Sequence, residues 1–520
     1  MKTHGAVAAG HSVTAKAAAR VLEEGGNAFD AVIAAMWAAC VAEPVLASLG
    51  GGGFVMARPA GQTPRLYDFF VETPLTKRSR ENLEFESRLA TFAGGVTQEF
   101  HGGYGSVATP GVVAGLFAIH DDLARLSMAQ LARPAIEAAQ GGVKLDAFQR
   151  YVMGIVEPLL AFSAESRKVY GKAGKTDLDG FELLDADALH RQPDLAESIK
   201  YLVEEGADGF YRGDIAAVLV RESTEQGGYL RAPDLEAYRV LVRDPLLVSG
   251  RKGRFILNPP PASGGVLVGF GLKLARDMVL GEFGAERHLE AISRIIHATG
   301  LARGEHGASP AILGDELCER YRVMIGERPL SQNGTTHISV VDADGNLAAA
   351  TISNGSSSGR VVPGTGIMMN NMLGEADLSP DGFHNWPCGV RMTSMMTPAL
   401  YLGQDGTAIA LGSGGSNRIR STMLQVLLNI DAFDMTLQDA ISAPRMHVED
   451  ELLSVEPGFE DAWLDRLSLE NQKRWDCEDM FFGGVHAASV SQKDGMLRAK
   501  GDARRNGHHI ISRRGGRTIT

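Results

Sequence analysis

Asn333-Gly334-Thr335-Thr336-His337 sets a residue without a side chain directly before a hydroxyl nucleophile. That pairing suits self-cleavage. A Thr hydroxyl reaches the carbonyl before it only through a strained approach, and glycine tolerates the strain. Hydrolysis of the resulting ester frees a new N-terminal Thr. Such a Thr holds both halves of a catalyst, because its hydroxyl is the nucleophile and its own α-amine is the base. An α-amine titrates at ~7.7–8.0, so it takes a proton at neutral pH without a His–Asp pair. Neither a metal nor a cofactor is expected. The same five residues also fit an ordinary pair of threonines leading into a strand.

A second candidate is Leu411-Gly412-Ser413-Gly414-Gly415-Ser416-Asn417-Arg418, which follows an apolar strand and precedes a helix. Backbone N–H groups at such a helix start can stabilise an oxyanion, with a phosphate loop and a plain turn as the rival readings. Three other segments read as structure. Asp342-Ala343-Asp344-Gly345-Asn346 lacks the further ligands and distal Glu of a calcium loop and reads as a hairpin turn. The Gly50–Gly53 run has no Lys-Ser/Thr after it and reads as a tight turn. Arg504, Arg505, Arg513, Arg514 and Arg517, with His508 and His509, read as a solvated strand edge or terminus.

The elements that must position these residues change character along the chain. The first third is helical. Ser12 is expected to cap a helix through Val21 that stops at Gly25-Gly26, and Asn27 to cap the Ala-rich helix Ala28–Ala42. Phe54–Ala57 is a short strand. Thr109-Pro110 is expected to open a helix over Gly111–His120, with Thr109 as its cap. The middle third continues helical, with charged stretches around Ala164–Asp179 and Asp185–Glu205. Leu257–Gly265 reads as an ordered turn into a helix starting near Val266. After about Gly334 come three strand–turn–strand units, His337–Asp342 with Asn346–Ser353, Ala399–Leu402 with Thr407–Leu411, and Ala487–Ser491 with Met496–Ala499. Each turns at Asp-Gly. A helix over Ser421–Ile430 is interleaved with them. Helices and hairpins together predict a layered α+β fold.

The bulk numbers exclude some functions. The chain has 520 residues, enough for a large or two-part domain, with 44% hydrophobic and 22% charged residues, as in a soluble globular protein. A net charge of −12 argues against a general electrostatic grip on nucleic acid or anionic membrane. Cys40, Cys318, Cys388 and Cys477 are scattered and read as reduced thiols. Ala31–Ala42 falls short of the ~20 apolar residues of a membrane span and reads as a buried helix. Without a signal peptide in the sequence as given, a cytoplasmic location is the expectation.

Several stretches, in this order and spacing, resemble the gamma-glutamyltransferase family along nearly the whole chain. They are Glu24–Ala31 (EGGNAFDA), Leu49–Phe54 (LGGGGF), Thr109-Pro110-Gly111, Pro259–Gly265 (PPPASGG), Thr335–Asp342 (TTHISVVD) and Ala443-Pro444-Arg445. The resemblance implies the four-layer αββα sandwich of N-terminal-nucleophile hydrolases. It implies a proenzyme cut between Gly334 and Thr335, giving a large subunit 1–334 and a small subunit 335–520 that stay together as a heterodimer of cleavage products. The implied reaction moves a γ-glutamyl group from glutathione or another amide to water or an amino acid through an acyl-enzyme.

By the same resemblance Thr335 is the nucleophile and Ser353 the hydroxyl that hydrogen-bonds it. Asn354 or Gly355 stands at a substrate-binding Asn. Glu375 stands where an Asp takes the substrate α-amine, and Ser394 at the first of two carboxylate-binding serines, the second being Met395. The oxyanion pair is Gly415 and Ser416, or Gly414 and Gly415 with a one-residue shift. The largest departure is Phe70, where the family typically has an Arg for the substrate α-carboxylate. Losing a charge-assisted pair weakens binding roughly 10- to 100-fold. Lys77, Arg78 and Arg391 are the alternative cations. The segment Ala376–Val390 is short where some members carry a lid. Three readings follow: a γ-glutamyltransferase or glutathione hydrolase, an N-acyl amidohydrolase of the same fold such as a cephalosporin or glutaryl acylase, and an unprocessed binding protein. The ligand in the first two is a small γ-glutamyl or other N-acyl compound.

Overall fold

The computed structural model describes residues 3–91, 97–307, 309–314, 334–379, 381–449, 451–491 and 493–513. Asn333, Cys318, Arg514 and Arg517 lie outside the described residues.

Two sheets dominate. Their strands in chain order are β1 (Thr3–Ala9), β2 (Gly52–Arg58), β3 (Arg65–Phe69), β4 (Leu241–Arg243), β5 (Leu246–Ser249), β6 (Gly253–Leu257), β7 (Gly334–Asp342), β8 (Leu347–Gly355), β9 (Ala399–Gly403), β10 (Thr407–Gly414), β11 (Gly484–Ser491), β12 (Leu497–Lys500) and β13 (His508–Arg513). The seven-stranded sheet runs β13-β1-β7-β8-β2-β3-β4, and the six-stranded sheet runs β12-β11-β10-β9-β6-β5. Helices α1 (Ser12–Glu23), α2 (Ala28–Ala42) and α3 (Val112–Leu123) cover the outer face of the first sheet. On the other side, α4 (Ser263–Arg276) and α6 (Arg418–Asp431) cover the second sheet, with α5 (Glu286–His306) packed on both. The result is the expected four-layer αββα sandwich.

Side-chain alternation builds these layers. In β1, Val7 and Ala9 join the core under α1 and α2, while Ala6 and Ala8 face the other sheet. β2 and β8 divide in the same way, so both faces of the central strands are apolar. Every residue of α2 is buried, which explains its uniform hydrophobicity without a membrane. Among the described residues no helix is long and apolar enough to cross one.

The three hairpins form as expected, β7 with β8, β9 with β10 and β11 with β12. At the first turn the Asp342 carboxylate accepts from Asp344 N, Asn346 N, Asn346 Nδ2 and Ala28 N, at 2.7–3.0 Å, so its oxygens serve the turn and the start of α2. Asn27 caps α2 through a reciprocal box with Asp30. Free thiols are found at Cys40, Cys388 and Cys477.

Four expectations need correction. The cap of α1 is His11, whose Nδ1 accepts from Val13 N at 3.2 Å, and Ser12 is already helical. Thr109 caps nothing: its N–H and C=O pair with Glu72, and α3 starts only at Val112. Helix α4 starts at Ser263, anchored where Ser263 N and Gly264 N donate to Ser394 O. Arg504 and Arg505 are buried rather than solvated. Arg504 pairs with Glu456 at 2.6 Å, and its neighbour Arg445 pairs with Asp502 at 2.6 Å. A tertiary carboxylate thus absorbs Arg504, a charge that looks like surface in one dimension.

Candidate active site

Thr335 is the second residue of β7, at the point where that strand leaves its register. Gly334 pairs with Gly355 and Thr336 with Ile352, so Ser353 and Asn354 of β8 together oppose Thr335 alone. A bulge of this kind re-aims side chains. Here it brings Thr335 Oγ1 to Ser353 Oγ at 3.4 Å, with the Thr hydroxyl donating. Ser353 Oγ in turn donates to the carbonyl of Gly334 at 2.5 Å and accepts from Gly355 N at 3.1 Å. Thr335 Oγ1, Ser353 Oγ and the Gly334 carbonyl are thus contiguous, and all are buried from bulk water or nearly so.

Thr336 points to the opposite face, toward α2. Its Oγ1 donates to Glu43 Oε2 at 2.5 Å, and Thr14 Oγ1 donates to Glu43 Oε1 at 2.6 Å. Glu43 ends α2, and burial pushes its pKa up to about 7. This carboxyl buttresses Thr336, the residue after Thr335, from behind.

The second sheet supplies the opposite wall. A Cβ at Gly414 would stand 2.3 Å from the Thr335 carbonyl oxygen, and one at Gly412 would stand 2.3 Å from the His337 ring. Only glycine permits this approach of β10 to β7. Beyond β10 the chain turns through Gly415 (φ +131) and Ser416 (φ +51) into α6. Ser416 holds a left-handed backbone that non-glycine residues adopt uncommonly, a strain typical of functional turns. It is stabilised by Asp377, whose Oδ2 accepts from Ser416 Oγ at 2.8 Å. Asn417 extends the brace. Its Nδ2 donates to Glu449 Oε1 at 3.0 Å, and its Oδ1 accepts from Arg303 Nη1 at 2.5 Å.

Between these walls lies a cleft of about 360 Å³ of empty volume. Thr335, Ser353, Gly355, Ser394 and Ser416 supply its polar surface, with Asp377 as the carboxylate. Phe70, Met372, Leu378, Met395, Met396 and Ile419 supply the rest. No Lys, Arg or His is among its described lining residues. The three alternative cations are engaged elsewhere. Arg391 binds Glu72 at 3.0 Å and Asp68 at 3.3 Å, and donates to Tyr238 Oη and Arg239 O at 2.7 and 2.6 Å. Lys77 stacks on Trp386, and Arg78 donates to Thr224 O and Gly228 O.

Two predicted contacts sit behind the cleft wall. Asn354 turns inward, its Nδ2 donating to Ser357 Oγ at 3.2 Å, while Gly355 is the member of that pair at the cleft. Glu375 is buried behind Gly355, its Oε1 without a hydrogen-bond partner among the described residues, and burial raises its pKa to about 8. Residues missed from the sequence are Asp377, Glu43 and Glu449, whereas Asn417 belonged to the candidate segment Leu411–Arg418. Glu43 had a visible signal, a carboxylate closing an apolar helix. Asp377 had none, because its partner Ser416 is 39 residues away.

The profile of the gamma-glutamyltranspeptidase family matches residues 14–316 and 315–512. A glutathione hydrolase proenzyme of Bacillus subtilis (strain 168) is 25% identical over 97% of this chain and 91% of its own. An acylase ACY 1 proenzyme of Pseudomonas sp. (strain SE83) is 27% identical over 91% of this chain and 87% of its own. The crystal structure of cephalosporin acylase from Bacillus halodurans shares the fold, with a TM-score of 0.81 at 23% identity, covering 98% of this chain and 96% of that one. Matched in sequence from α1 to β13 and in architecture through all four layers, this chain is an enzyme of the gamma-glutamyltranspeptidase family.

Proposed function

We infer that this enzyme cuts itself between Gly334 and Thr335 and then hydrolyses or transfers the acyl group of an amide through a threonyl ester on Thr335. The observation that carries this reading is the row Thr335 Oγ1, Ser353 Oγ and Gly334 O, linked at 3.4 and 2.5 Å. Ser353 polarises the carbonyl that Thr335 must attack. Addition of Oγ1 to the Gly334 carbonyl carbon breaks the C–N bond, and the nitrogen takes the proton. One water then splits the ester, leaving a Gly334 carboxylate and a Thr335 with free hydroxyl and amine. The amine becomes the base for each later substrate. The turn Gly414–Ser416, strained and braced by Asp377, is suited to hold the developing oxyanion. Fragments 1–334 and 335–520 would remain one heterodimer, because β7, β8 and β13 of the second interleave with β1, β2 and β3 of the first.

The acyl group has two candidates, γ-glutamyl and another N-acyl group. The cleft favours the second. A γ-glutamyl head brings an α-carboxylate, and a buried carboxylate without a cation is costly. The lining that Phe70, Met395 and Met396 offer suits an uncharged acyl chain, which counts against glutaryl for the same reason. A denaturing gel and an anilide panel test both parts. The purified chain is expected as two bands, the smaller beginning at Thr335, and to hydrolyse a phenylacetyl anilide faster than γ-glutamyl or glutaryl anilides. A single 55.5 kDa band would sink the self-processing reading. Preference for the γ-glutamyl anilide would restore the first candidate.

A further inference from the structure

The peptide between Gly334 and Thr335 separates two cavities. The cleft described above touches Thr335, and a second cavity, of about 470 Å³ of empty volume, touches Gly334. Its walls are mostly apolar, from Leu46, Phe100, Ile155 and Phe481, yet Arg418 and Arg505 line it as well. Arg505 is 6% exposed, and among the described residues its Nε and Nη1 have no hydrogen-bond partner. Its Nη2 makes one long bond, donating to Met480 O at 3.4 Å. The adjacent Arg504 and Arg445 are, by contrast, each paired with a carboxylate. The two carboxylates that act on Arg505 are already engaged. Asp502 is held by Arg445 and Arg504, and Asp479 accepts from Phe481 N at 2.7 Å.

The fold makes room for this guanidinium. Gly414 and Gly484 pair at the ends of β10 and β11. A Cβ on Gly484 would stand 2.7–2.8 Å from the Arg505 stem, and one on Gly414 would stand 3.1 Å from Nη1. The side chain therefore crosses bare strand ends to reach the cavity. Burial lowers its pKa to about 10, which leaves it charged at neutral pH. A buried charge with two donors unsatisfied is unfavourable until an acceptor arrives. A carboxylate presents two coplanar oxygens to such a fork.

We propose that this cavity is a carboxylate site, in which Arg505 with Arg418 beside it holds a carboxylate on the Gly334 side of the nucleophile. The origin of that carboxylate rests on the Thr335 reading above. One source is the chain itself, since hydrolysis of the Gly334–Thr335 bond creates a carboxylate on Gly334, which already lines the cavity. The other is a substrate whose amine half ends in a carboxylate while its acyl half lies in the apolar cleft.

The test uses the full chain carrying Thr335→Ala, titrated by calorimetry with butyrate and with butyramide. Butyrate is expected to bind roughly 10- to 100-fold more tightly. Adding Arg505→Met is expected to remove the difference, and adding Arg505→Lys, which keeps the charge and loses the fork, to retain part of it. Equal binding of the two probes overturns the proposal, and that comparison stands even where an Arg505 variant does not fold. A wild type that never cuts itself overturns the Thr335 reading instead and leaves the titration valid. The processed wild type distinguishes the sources. Loss of butyrate binding on processing assigns the site to Gly334. Retained binding, with an N-acylglycine cleaved at lower KM than its carboxamide, assigns it to the substrate.

Discussion

On one side of the Gly334–Thr335 peptide the walls are Phe70, Met372, Met395 and Met396, and the charged group is a carboxylate, Asp377. On the other side the walls are equally apolar, but the charged groups are Arg418 and Arg505. Thr335 and Ser416 line the first cavity, Gly334 and Arg418 the second, and the two differ chiefly in the sign of their charge. An amide has an acyl half and an amine half, and this difference sorts them. An uncharged acyl group suits the first cavity, and a carboxylate suits the second. Among the described residues no cation lines the first cavity in place of the Arg that the family resemblance implies at Phe70, and Arg391 pairs with Asp68 and Glu72 instead.

The comparison depends first on Thr335, which lines the first cavity beside the Gly334 of the second. Thr335→Ala is expected to abolish processing and amide hydrolysis together, leaving one 55.5 kDa band on a denaturing gel. Ser353→Ala removes the donor to the Gly334 carbonyl. It is expected to slow processing roughly 10- to 100-fold, read from the time course of band conversion, with Ser353→Thr close to wild type.

Phe70→Arg makes the two cavities alike in charge. It is expected to raise the ratio of γ-glutamyl to phenylacetyl anilide kcat/KM by about 10-fold. An unchanged ratio in a folded protein would show that Phe70 does not face the acyl group. Asp377→Ala removes the brace on Ser416 and should lower kcat by roughly 2- to 10-fold with little change in KM, because the turn Gly414–Ser416, proposed to hold the oxyanion, loses one hydrogen bond.

The smallest effect concerns the carboxyls packed behind the site. Burial raises Glu43 to about 7 and Glu375 to about 8, from an ordinary 4.5. A carboxyl with a raised folded-state pKa holds its proton longer folded than unfolded. Its contribution to stability is therefore full below about pH 4.5 and is lost as pH rises through about 7 for Glu43 and about 8 for Glu375. The midpoint of thermal unfolding is expected to fall between pH 5 and pH 8, and Glu375→Gln to flatten that fall. A wild type and variant with parallel pH profiles would exclude Glu375 as its source.

Local signals carried much of the fold. The three Asp-Gly turns sit between alternating strands, and the hairpin register follows from sequence neighbours. Asn27 and Asp30 are three apart, so the box that starts α2 is complete within one helical turn. Caps failed where a nearby residue competed. Thr109 is an acceptable cap by type, yet Glu72 takes its backbone into a bridge. His11 displaced Ser12 because an extended residue one step earlier already reaches Val13 N.

By itself the sequence determined Gly334-Thr335 as the place where chemistry could start, the αββα class through its family resemblance, and the absence of an Arg at position 70. These are properties of residue type and short spacing. Only the tertiary structure decided where charge ends up. Arg391, Arg504 and Arg505 look interchangeable along the chain. In the fold, the first two meet carboxylates from other strands and turns, whereas Arg505 is led across bare glycines to a cavity with no carboxylate among its described lining residues. Pairing of buried charges depends on contacts between segments far apart in sequence, and so the sign of each cavity beside Thr335 was settled only when the two sheets packed.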